Sequence, residues 1–416
     1  MQNLTLAHIQ KTAQAGHFSN AEDMLRLFLA GLFPLDIEKV DIRRDALSLN
    51  SVNGFVNLKD GSKLFFKFHH EEQEEALTEY YNSQLLSDNG FPVELPLYVS
   101  KEVGKQVLLY PVKTSERMAD IAKRLEDGGQ EFDELVSAQK NLDEVSLQRM
   151  LATLHDAKPE QLKDEPILQL FTHRMEAGGR KEKFYDGQEC NFPGLTINYD
   201  DLAKLKWRIN GAEYDQTLAN AFTRAMNILS PKQNYPAVIA HGDAHNGNVW
   251  YNVDKTPPYL TQFDPAFAGR HIPALLAEVK ATFHNIFAHP LWLYDAADAN
   301  YQVTAKLNGE FIEITHNWQL SKLRAAFLDA KAKLWKQLLT ELKKQGKLPQ
   351  NWQEYVRLAL FCCPTLVMNL RANAGNSRNS HTPATSALGF AISIMLSSAP
   401  TAGKDVSSEF FEKIAP

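Results

Sequence analysis

The stretch AHGDAHNGNV, residues 240–249, places polar side chains between two apolar runs of the chain. The runs PAVIA, residues 236–240, and VWY, residues 249–251, predict strands that enter and leave this segment. Asp243 and Asn248 then lie on one tight loop, where the strands on either side hold polar side chains in place. A loop of this kind is typical of a catalytic or binding site.

A second carboxylate follows sixteen residues after Asn248, at Asp264. The turn KTPP, residues 255–258, and a predicted strand at 259–263 form a hairpin that we expect to return Asp264 close to Asn248. Carboxylate and amide oxygens suit Mg²⁺, so Asn248 and Asp264 are the expected metal ligands. Asp243 is then left to accept the proton of an attacking hydroxyl. The set predicts phosphoryl transfer from a magnesium nucleotide.

The pattern HGDxHxxN, followed by a strand, a turn and another aspartate, resembles the catalytic and metal-binding loops of the aminoglycoside phosphotransferase and choline kinase superfamily. The resemblance implies ATP and Mg²⁺ as cofactors and a small-molecule hydroxyl as the phosphate acceptor. It assigns Asp243 as the catalytic aspartate, and Asn248 and Asp264 as the metal ligands. It also makes His241 the histidine that braces the loop and leaves the role of His245 open.

The upstream half of the chain carries matching features. Lys67 lies in the apolar run LFFKF, where a lysine is costly to bury without a partner. Glu79, on the following predicted helix, is the expected partner, since kinase-like folds pair a strand lysine with a helix glutamate. The run LLYPV, residues 108–112, resembles the hinge strand against which adenine binds, which implies nucleotide contacts from Leu109 and Val112.

Two further segments match the superfamily less closely. The segment SLNSVNG, residues 48–54, resembles the loop over the nucleotide phosphates but has one glycine, and the resemblance implies contacts from Ser51 and Asn53. After Asp264 the superfamily usually has acidic residues, whereas this chain has Arg270 and His271. We interpret this change as a sign of an anionic group on the substrate.

The predicted fold class is α+β, a two-lobed protein-kinase-like fold. Residues 1–35 are expected to form a helical extension, 36–113 a small strand-rich N-lobe with one glutamate helix, and 114–416 a larger, mainly helical C-lobe. ATP is expected to bind between the lobes. Strands are predicted at 46–50, 54–58, 63–69 and 105–110, helices at 320–345 and 352–370, and a loop at 371–386, while 160–235 has no clear pattern.

The N-terminal segment has its own signals. Ser19 and Glu22 have the spacing of a capping box at a helix start. One apolar face follows, formed by Met24, Leu25, Phe28, Leu29 and Leu32. We expect this face to pack on the N-lobe, and a homodimer contact is the alternative.

Composition excludes several classes. A net charge of −6 and a pI near 6.1 give no overall attraction to nucleic acid or anionic lipid. Cys362 and Cys363 are adjacent in an apolar run and predict buried thiols. We see no secretory signal, and the apolar run 387–396 is shorter than the roughly 20 residues of a membrane-spanning helix. These features predict a reduced, cytoplasmic protein without a nucleic-acid or membrane partner.

Two other functions remain open at this point. A metal-dependent hydrolase could use His241, Asp243 and His245 as ligands for Zn²⁺ or Mn²⁺, but it gives no role to Lys67 or Glu79. A catalytically inactive kinase-like binding module is the second, favoured only by the loss of the acidic residues after Asp264. Tightly bound zinc would indicate the hydrolase. MgATP binding without turnover would indicate the inactive module, and MgATP binding with turnover the phosphotransferase.

Overall fold

The computed structural model describes residues 4–44, 51–69, 75–102, 104–289, 292–374 and 380–416. The chain divides into two compact units. The first comprises Met1–Glu116 and Thr261–Ala266, and the second comprises Arg117–Leu260 and Phe267–Pro416. Strands dominate the first unit and helices the second, which confirms the predicted α+β class.

An antiparallel five-stranded sheet forms the centre of the first unit. The strands follow one another across the sheet in the order Ile37–Ile42, Ser51–Leu58, Lys63–His69, Val107–Pro111 and Tyr98–Ser100. The predicted turn at Asp60 and Gly61 is confirmed, because Ser62 donates its amide to Asp60 Oδ1 over 2.8 Å. Gly61 has a φ of 84°, a conformation that glycine adopts without strain.

The sequence prediction was wrong for part of this sheet. The predicted strand at 54–58 is present but begins earlier, at Ser51, so residues 51–53 lie in a strand and not in a loop. The strand Ile37–Ile42 was not predicted. Gly54 is opposite Phe66 in the sheet, and a Cβ atom there would overlap the Asp41 carbonyl oxygen. Close backbone packing in a strand therefore explains this glycine better than a phosphate-binding loop. The predicted strand at 46–50 lies outside the described residues.

Two helices, Leu6–Gln14 and Phe18–Leu32, precede the sheet. Leu25, Phe28 and Leu29 are buried in one apolar cluster with the sheet residues, which supports packing on the sheet over a dimer contact. The predicted capping box is wrong. The helix begins before Ser19, and Glu22 instead accepts a hydrogen bond from the Ile42 amide over 3.1 Å. The Glu22 side chain, which the local pattern assigned to the helix cap, therefore makes a tertiary contact instead.

The glutamate helix of the first unit is Glu75–Asp88, and it follows the strand Lys63–His69 as predicted. The longer helices of the second unit are Met118–Gly128, Asp133–Ala152, Leu218–Leu229, Lys322–Lys344, Trp352–Val367, Pro383–Ser397 and Val406–Ile414. Its short helices are Pro159–Leu162, Arg180–Tyr185, Tyr199–Leu202 and Val279–Thr282. The predicted helices at 320–345 and 352–370 are confirmed with slightly shorter ends. The predicted loop at 371–386 gives way to a helix at Pro383.

Among the described residues, three small sheets lie wholly in the second unit. The first pairs Tyr235–Ala240 with Gly269–Pro273 on one side and His155–Ala157 on the other. The second contains Ala212–Tyr214, Lys206–Ile209, Phe311–His316 and Val303–Asn308, none of which was predicted. The third is the hairpin of Glu189–Phe192 and Leu195–Asn198. The strands predicted around the motif are present as Val249–Asn252 and Tyr259–Gln262, and a two-residue strand covers Glu116–Arg117.

The prediction of buried cysteines agrees with the structure. Cys190, Cys362 and Cys363 are buried free thiols. Within the part of the chain that the structure describes, helices that combine the length and apolarity of a membrane span do not occur.

Candidate active site

Lys67 is the centre of a charged cluster in the first unit. Its Nζ lies 2.8 Å from Glu79 Oε2 and 3.0 Å from Asp264 Oδ1. The strand Lys63–His69 supplies the lysine and the helix Glu75–Asp88 supplies Glu79, as the sequence predicted. The structure therefore brings together three of the predicted site residues that are up to 197 positions apart in sequence.

Electrostatics keep this lysine charged. Burial by itself would lower the pKa of Lys67, but the carboxylates of Glu79 and Asp264 outweigh it and raise the pKa above its usual value. Tyr110 donates its hydroxyl to Glu79 Oε1 over 2.8 Å, and burial together with Glu79 raises the pKa of that tyrosine. Glu79 is thus held from two sides. Tyr110 was read only as part of the hinge strand, so sequence reasoning missed this contact.

Asp264 has an unusual backbone. Its φ is 56°, in the left-handed region that residues other than glycine rarely adopt. Asn82 donates to the next carbonyl, that of Pro265, over 3.0 Å and helps to hold the turn. The side chain of Asp264 remains 43% exposed, so the carboxylate is accessible while one oxygen contacts Lys67. Backbone strain of this kind clusters at functional sites.

The loop between Ala240 and Val249 is shaped by Gly242. This glycine has a φ of 76°, and a Cβ atom there would lie 2.6 Å from the Phe267 carbonyl oxygen. Any larger residue would be both strained and in collision. The glycine therefore lets the chain turn sharply out of the strand Tyr235–Ala240 and into the position of Asp243.

Hydrogen bonds within the loop fix its backbone. The Asp243 amide donates to His241 Nδ1 over 3.3 Å, and the Gly247 amide donates to His245 Nδ1 over 3.0 Å. The Asp243 carbonyl accepts from the His245 amide and from Asn248 Nδ2. Because the Asn248 amide group donates in this way, its Oδ1 is the side chain's remaining acceptor, which is the atom type that binds a hard cation.

The Asp243 carboxylate takes no part in these bonds. Its Oδ1 is buried and has no hydrogen-bond partner among the described residues. A buried acceptor without a partner is costly in a folded protein and calls for an explanation.

A π-helical turn, Phe283–Phe287, supports the loop. Asn285 on this turn accepts the Asn246 amide over 2.7 Å, and Arg324 donates to the Asn285 carbonyl over 2.8 Å. His284 on the same turn hydrogen-bonds to Tyr294, and its ring centroid lies 5.0 Å from that of His245. Turns of this type are frequent at functional sites. This contact of Asn285 was not predicted from the sequence.

Two buried groups, His284 beside His245 and its partner Tyr294, have altered acidity. Burial lowers the pKa of His284 well below its usual value, with smaller effects from Lys280 and His245, so the imidazole is neutral. Burial and the Asp243 charge both raise the pKa of Tyr294. The imidazole next to His245 and the hydroxyl group that it contacts are therefore both uncharged.

Arg270 and His271 occupy the strand that pairs with Tyr235–Ala240. Arg270 is exposed, whereas both ring nitrogens of His271 are engaged, with His155 at 2.8 Å and with Gln161 at 3.4 Å. Burial lowers the pKa of His271, with further lowering by His155 and Arg270. These contacts engage both ring nitrogens of His271, and the link of Arg270 and His271 to an anionic substrate group stays a prediction.

Glu165 lies against the same strand and provides a test of pH dependence. Burial raises the pKa of Glu165 from its ordinary value of 4.5 to about 7, despite the His271 amide that donates to it. A raised folded-state pKa gives a contribution to stability that is complete below about pH 4.5 and is lost as the pH rises through about 7. We expect Glu165→Gln to abolish this loss, which amounts to about 2–4 kcal/mol in the free energy of unfolding.

Urea denaturation at several pH values between about 5 and 8 measures the effect. Glu160→Gln is the matched control, because Glu160 is an exposed glutamate on the neighbouring helix Pro159–Leu162. If the free energy of unfolding changed with pH equally in wild type and Glu165→Gln, the raised pKa of Glu165 would be contradicted.

The remaining predicted nucleotide contacts lie in the first unit. Leu109 is buried opposite Phe66, and its carbonyl accepts the Leu97 amide over 2.7 Å. Val112 follows the strand Val107–Pro111 and is half-buried. Asn53 is opposite Lys67 in the sheet, and Ser51 begins the same strand. The roles of these residues toward a nucleotide stay predictions.

Within the described ranges, no group of three or more histidine, cysteine, aspartate or glutamate side chains is arranged to hold a metal by itself. The Nδ1 atoms of His241 and His245 instead accept backbone amides of the loop. The hydrolase alternative, which needs these rings as ligands, gains no support from their contacts.

The sequence model of the phosphotransferase enzyme family, APH, matches residues 46–274, which is more than half of the chain. Among solved structures, the chain is similar to a macrolide 2'-phosphotransferase from Brachybacterium faecium, with 15% identity and a TM-score of 0.38 over 83% of this chain and 90% of that one. It is also similar to an ethanolamine kinase from Plasmodium vivax, with 10% identity and a TM-score of 0.32 over 91% of this chain and 81% of that one. No curated protein matches the sequence.

The family assignment rests on the sequence match alone, since structural similarities this distant carry no argument about function. The match confirms the resemblance found in the motifs and, with it, the protein-kinase-like fold. Members of this family generally use ATP and Mg²⁺. The chain therefore belongs to the phosphotransferase enzyme family and is a small-molecule phosphotransferase.

Proposed function

We propose that this protein transfers the γ-phosphate of MgATP to a hydroxyl group of a small molecule. The observation that carries the proposal is the Lys67 cluster, in which the strand lysine contacts both Glu79 and Asp264. Lys67 and Glu79 belong to the upstream sequence pattern and Asp264 to the downstream one, and the two patterns meet at the Lys67 ammonium group. This arrangement supports a lysine that is positioned to bind nucleotide phosphates.

Asn248 and Asp264 are the residues proposed to hold Mg²⁺. The donor chemistry fits, because Asn248 donates through its amide nitrogen and has an amide oxygen as acceptor, and Asp264 has a partly exposed carboxylate. Bound Mg²⁺ would neutralise charge on the β- and γ-phosphates. The pairing of these two residues on one ion rests on the family resemblance and on their oxygen chemistry.

Asp243 is proposed to orient the acceptor hydroxyl and to take its proton. Phosphoryl transfer depends mainly on positioning and electrostatics, so a buried carboxylate oxygen without a partner is suited to this task. His241 and His245 support the loop by accepting the Asp243 and Gly247 amides. Lys67, oriented by Glu79, would bind the phosphates of the nucleotide.

Asp264→Ala is expected to weaken MgATP binding by at least about tenfold, because a metal ligand is lost. Binding of metal-free ATP should be equal or tighter, since the variant removes a negative charge close to Lys67. Isothermal titration calorimetry with and without Mg²⁺ measures both quantities.

Asp254→Ala is the matched control for this variant. Asp254 is an exposed aspartate in the turn between Val249–Asn252 and Tyr259–Gln262. Unchanged Mg²⁺ dependence in Asp264→Ala would refute the metal assignment. Tight MgATP binding by wild type without ADP formation, over a broad screen of hydroxylated metabolites, would identify an inactive binding module instead.

A further inference from the structure

Lys280 is a buried lysine without a counter-charge. It lies in the short helix Val279–Thr282 and is 3% exposed. Among the described residues it has neither a carboxylate within ion-pair distance nor a hydrogen bond. Lys331, the other buried lysine in this part of the chain, has two carboxylates, at 2.5 Å and 2.8 Å. Because a buried cation without a partner is costly, Lys280 calls for an explanation.

Helix geometry places Lys280 close to the loop between Ala240 and Val249. Lys280 and His284 are four residues apart, so they lie on one face of the helix and of the π-helical turn that continues it. Helical side chains point toward the N-terminus, which places the His284 ring over the turn that carries Lys280. The centroid of the same ring lies 5.0 Å from that of His245. Lys280 is therefore one helical turn from a direct contact with the loop.

Charge effects agree with this placement. Burial lowers the pKa of His284, and the Lys280 charge lowers it further. Burial raises the pKa of Cys363 to about 12, the Lys280 charge opposes this rise, and the Asp243 charge adds to it. Cys363 lies in the helix Trp352–Val367, which packs against Val279–Thr282. Lys280 and Asp243 are therefore both within electrostatic range of one side chain.

Polar atoms without partners are concentrated at this place. His284 Nδ1 is hydrogen-bonded to Tyr294, but Nε2 of the same ring is buried and has no partner among the described residues. The side-chain amide of Asn246 is 2% exposed and has no partner there at either its oxygen or its nitrogen. The Asn246 backbone amide binds Asn285, the residue after His284. Buried polar groups are nearly always hydrogen-bonded, so these side chains point to a polar ligand beside the π-helical turn.

We propose that Lys280 binds a carboxylate group of the acceptor, with His284 and Asn246 as neighbouring hydrogen-bonding groups. This inference rests on the proposed function, since it names a hydroxy acid as the class of substrate for the same site. One ammonium group balances one negative charge, which favours a carboxylate over a phosphate dianion. The anionic group then lies beside the π-helical turn, whereas the sequence analysis linked it to Arg270 and His271.

Lys280→Met separates a lysine that binds a ligand from one that stabilises the fold. Methionine has a similar volume without the charge, so this variant should melt at the same temperature as wild type or higher, because a buried charge is removed and no ion pair is broken. Thermal unfolding without ligand measures the effect. A lower melting temperature would show that the ammonium group stabilises the free protein, and this result would overturn the proposal.

The binding test uses three compounds with the same three-carbon frame, glycerol, glycerate and glycerol 3-phosphate. Each is titrated into protein saturated with a non-hydrolysable MgATP analogue, and the lysine Cε signals are followed by NMR. The signal of Lys280 is identified by its absence from Lys280→Met. We expect glycerate to shift this signal saturably and glycerol to leave it unchanged. Lys280→Met should weaken calorimetric glycerate binding by about 10–100-fold, as expected for loss of a charge-assisted hydrogen bond.

Lys336→Met is the matched control, because Lys336 is an exposed lysine of the helix Lys322–Lys344, and this variant should bind glycerate like wild type. Three results would overturn the proposal: no shift of the Lys280 signal with glycerate, an equal shift with glycerol, or wild-type glycerate affinity in Lys280→Met. Tighter binding of glycerol 3-phosphate than of glycerate would overturn the choice of a carboxylate.

The same titration without nucleotide separates this proposal from the proposed function. If MgATP does not bind but glycerate still shifts the Lys280 signal, the phosphotransfer proposal fails and the carboxylate site stands. If MgATP binds and only neutral or cationic alcohols stimulate ADP formation, while glycerate leaves the Lys280 signal unchanged, the carboxylate site fails and phosphotransfer stands.

Discussion

Asp243→Asn is expected to lower kcat by about 10²–10⁴-fold, the usual effect of losing a general base. The melting temperature and the MgATP affinity should be close to those of wild type. The structure gives the reason for this separation. The loop is held by the backbone amide and carbonyl of Asp243, which bind His241, His245 and Asn248, while the carboxylate Oδ1 has no partner among the described residues.

The asparagine side chain has nearly the shape of aspartate but cannot accept a proton at neutral pH. It would leave the loop hydrogen bonds intact and remove one step of the reaction. The measurement is ADP formation with an acceptor found by screening, or with water as a slow acceptor, alongside thermal unfolding and calorimetric MgATP titration. Asp201→Asn, at an exposed aspartate of the helix Tyr199–Leu202, is the control for a surface charge change. Wild-type turnover by Asp243→Asn would exclude Asp243 as the base.

The sequence was sufficient for the parts of the site that depend on short-range patterns. The strand around Lys67, the helix carrying Glu79 and the strands around the motif follow from apolar periodicity and turn residues. The cost of burying a lysine without a partner correctly pointed to Glu79, and the structure adds Asp264 as a second partner. These predictions therefore depended on the cost of burying a charge as well as on apolar periodicity.

The contacts that sequence reasoning missed are all long-range. Tyr110 and Asn285 reach the site residues from distant segments, and nothing in their own neighbourhoods marks them. The wrong capping box has the same origin, since the carboxylate of Glu22 binds the Ile42 amide on a strand that comes later in the chain. Local propensity is a weak guide wherever a tertiary contact competes for the same side chain.

The helix Lys322–Lys344 contains the second large effect that we expect, a loss of about 3–5 kcal/mol in the free energy of unfolding for Lys331→Met. Lys331 Nζ lies 2.5 Å from Asp143 Oδ1 and 2.8 Å from Glu278 Oε2, and all three side chains are buried. Burial by itself would lower the pKa of Lys331, but the two carboxylates raise it above its usual value. Methionine fills a similar volume and leaves both carboxylates buried without their cation.

The pH dependence of this deficit, the loss in the free energy of unfolding, identifies its cause. Burial, with the Asp143 charge, raises the pKa of Glu278 even beside the lysine, and removing Lys331 should raise it further. A carboxyl group with a raised folded-state pKa stabilises the fold most at pH values below its unfolded-state pKa. This contribution is lost as the pH rises through the folded-state pKa. The deficit of Lys331→Met should therefore shrink as the pH is lowered from about 8 to about 5. Urea denaturation across this range measures it, with Lys333→Met, an exposed lysine of the same helix, as the control.

The triad of Lys331, Asp143 and Glu278 could contribute to stability alone or could also support the loop at the proposed active site. Turnover by the folded variant distinguishes the two roles. Glu278 immediately precedes the helix Val279–Thr282 and the π-helical turn, whose Asn285 accepts the Asn246 amide of the loop between Ala240 and Val249. Release of Glu278 should loosen this support, so folded Lys331→Met is expected to lose activity well below its melting temperature. A variant that is as stable as wild type at pH 8 would refute the ionic role of Lys331. A destabilised variant with wild-type turnover at low temperature would confine the triad to stability and place the support of the loop on Arg324, which donates to the Asn285 carbonyl.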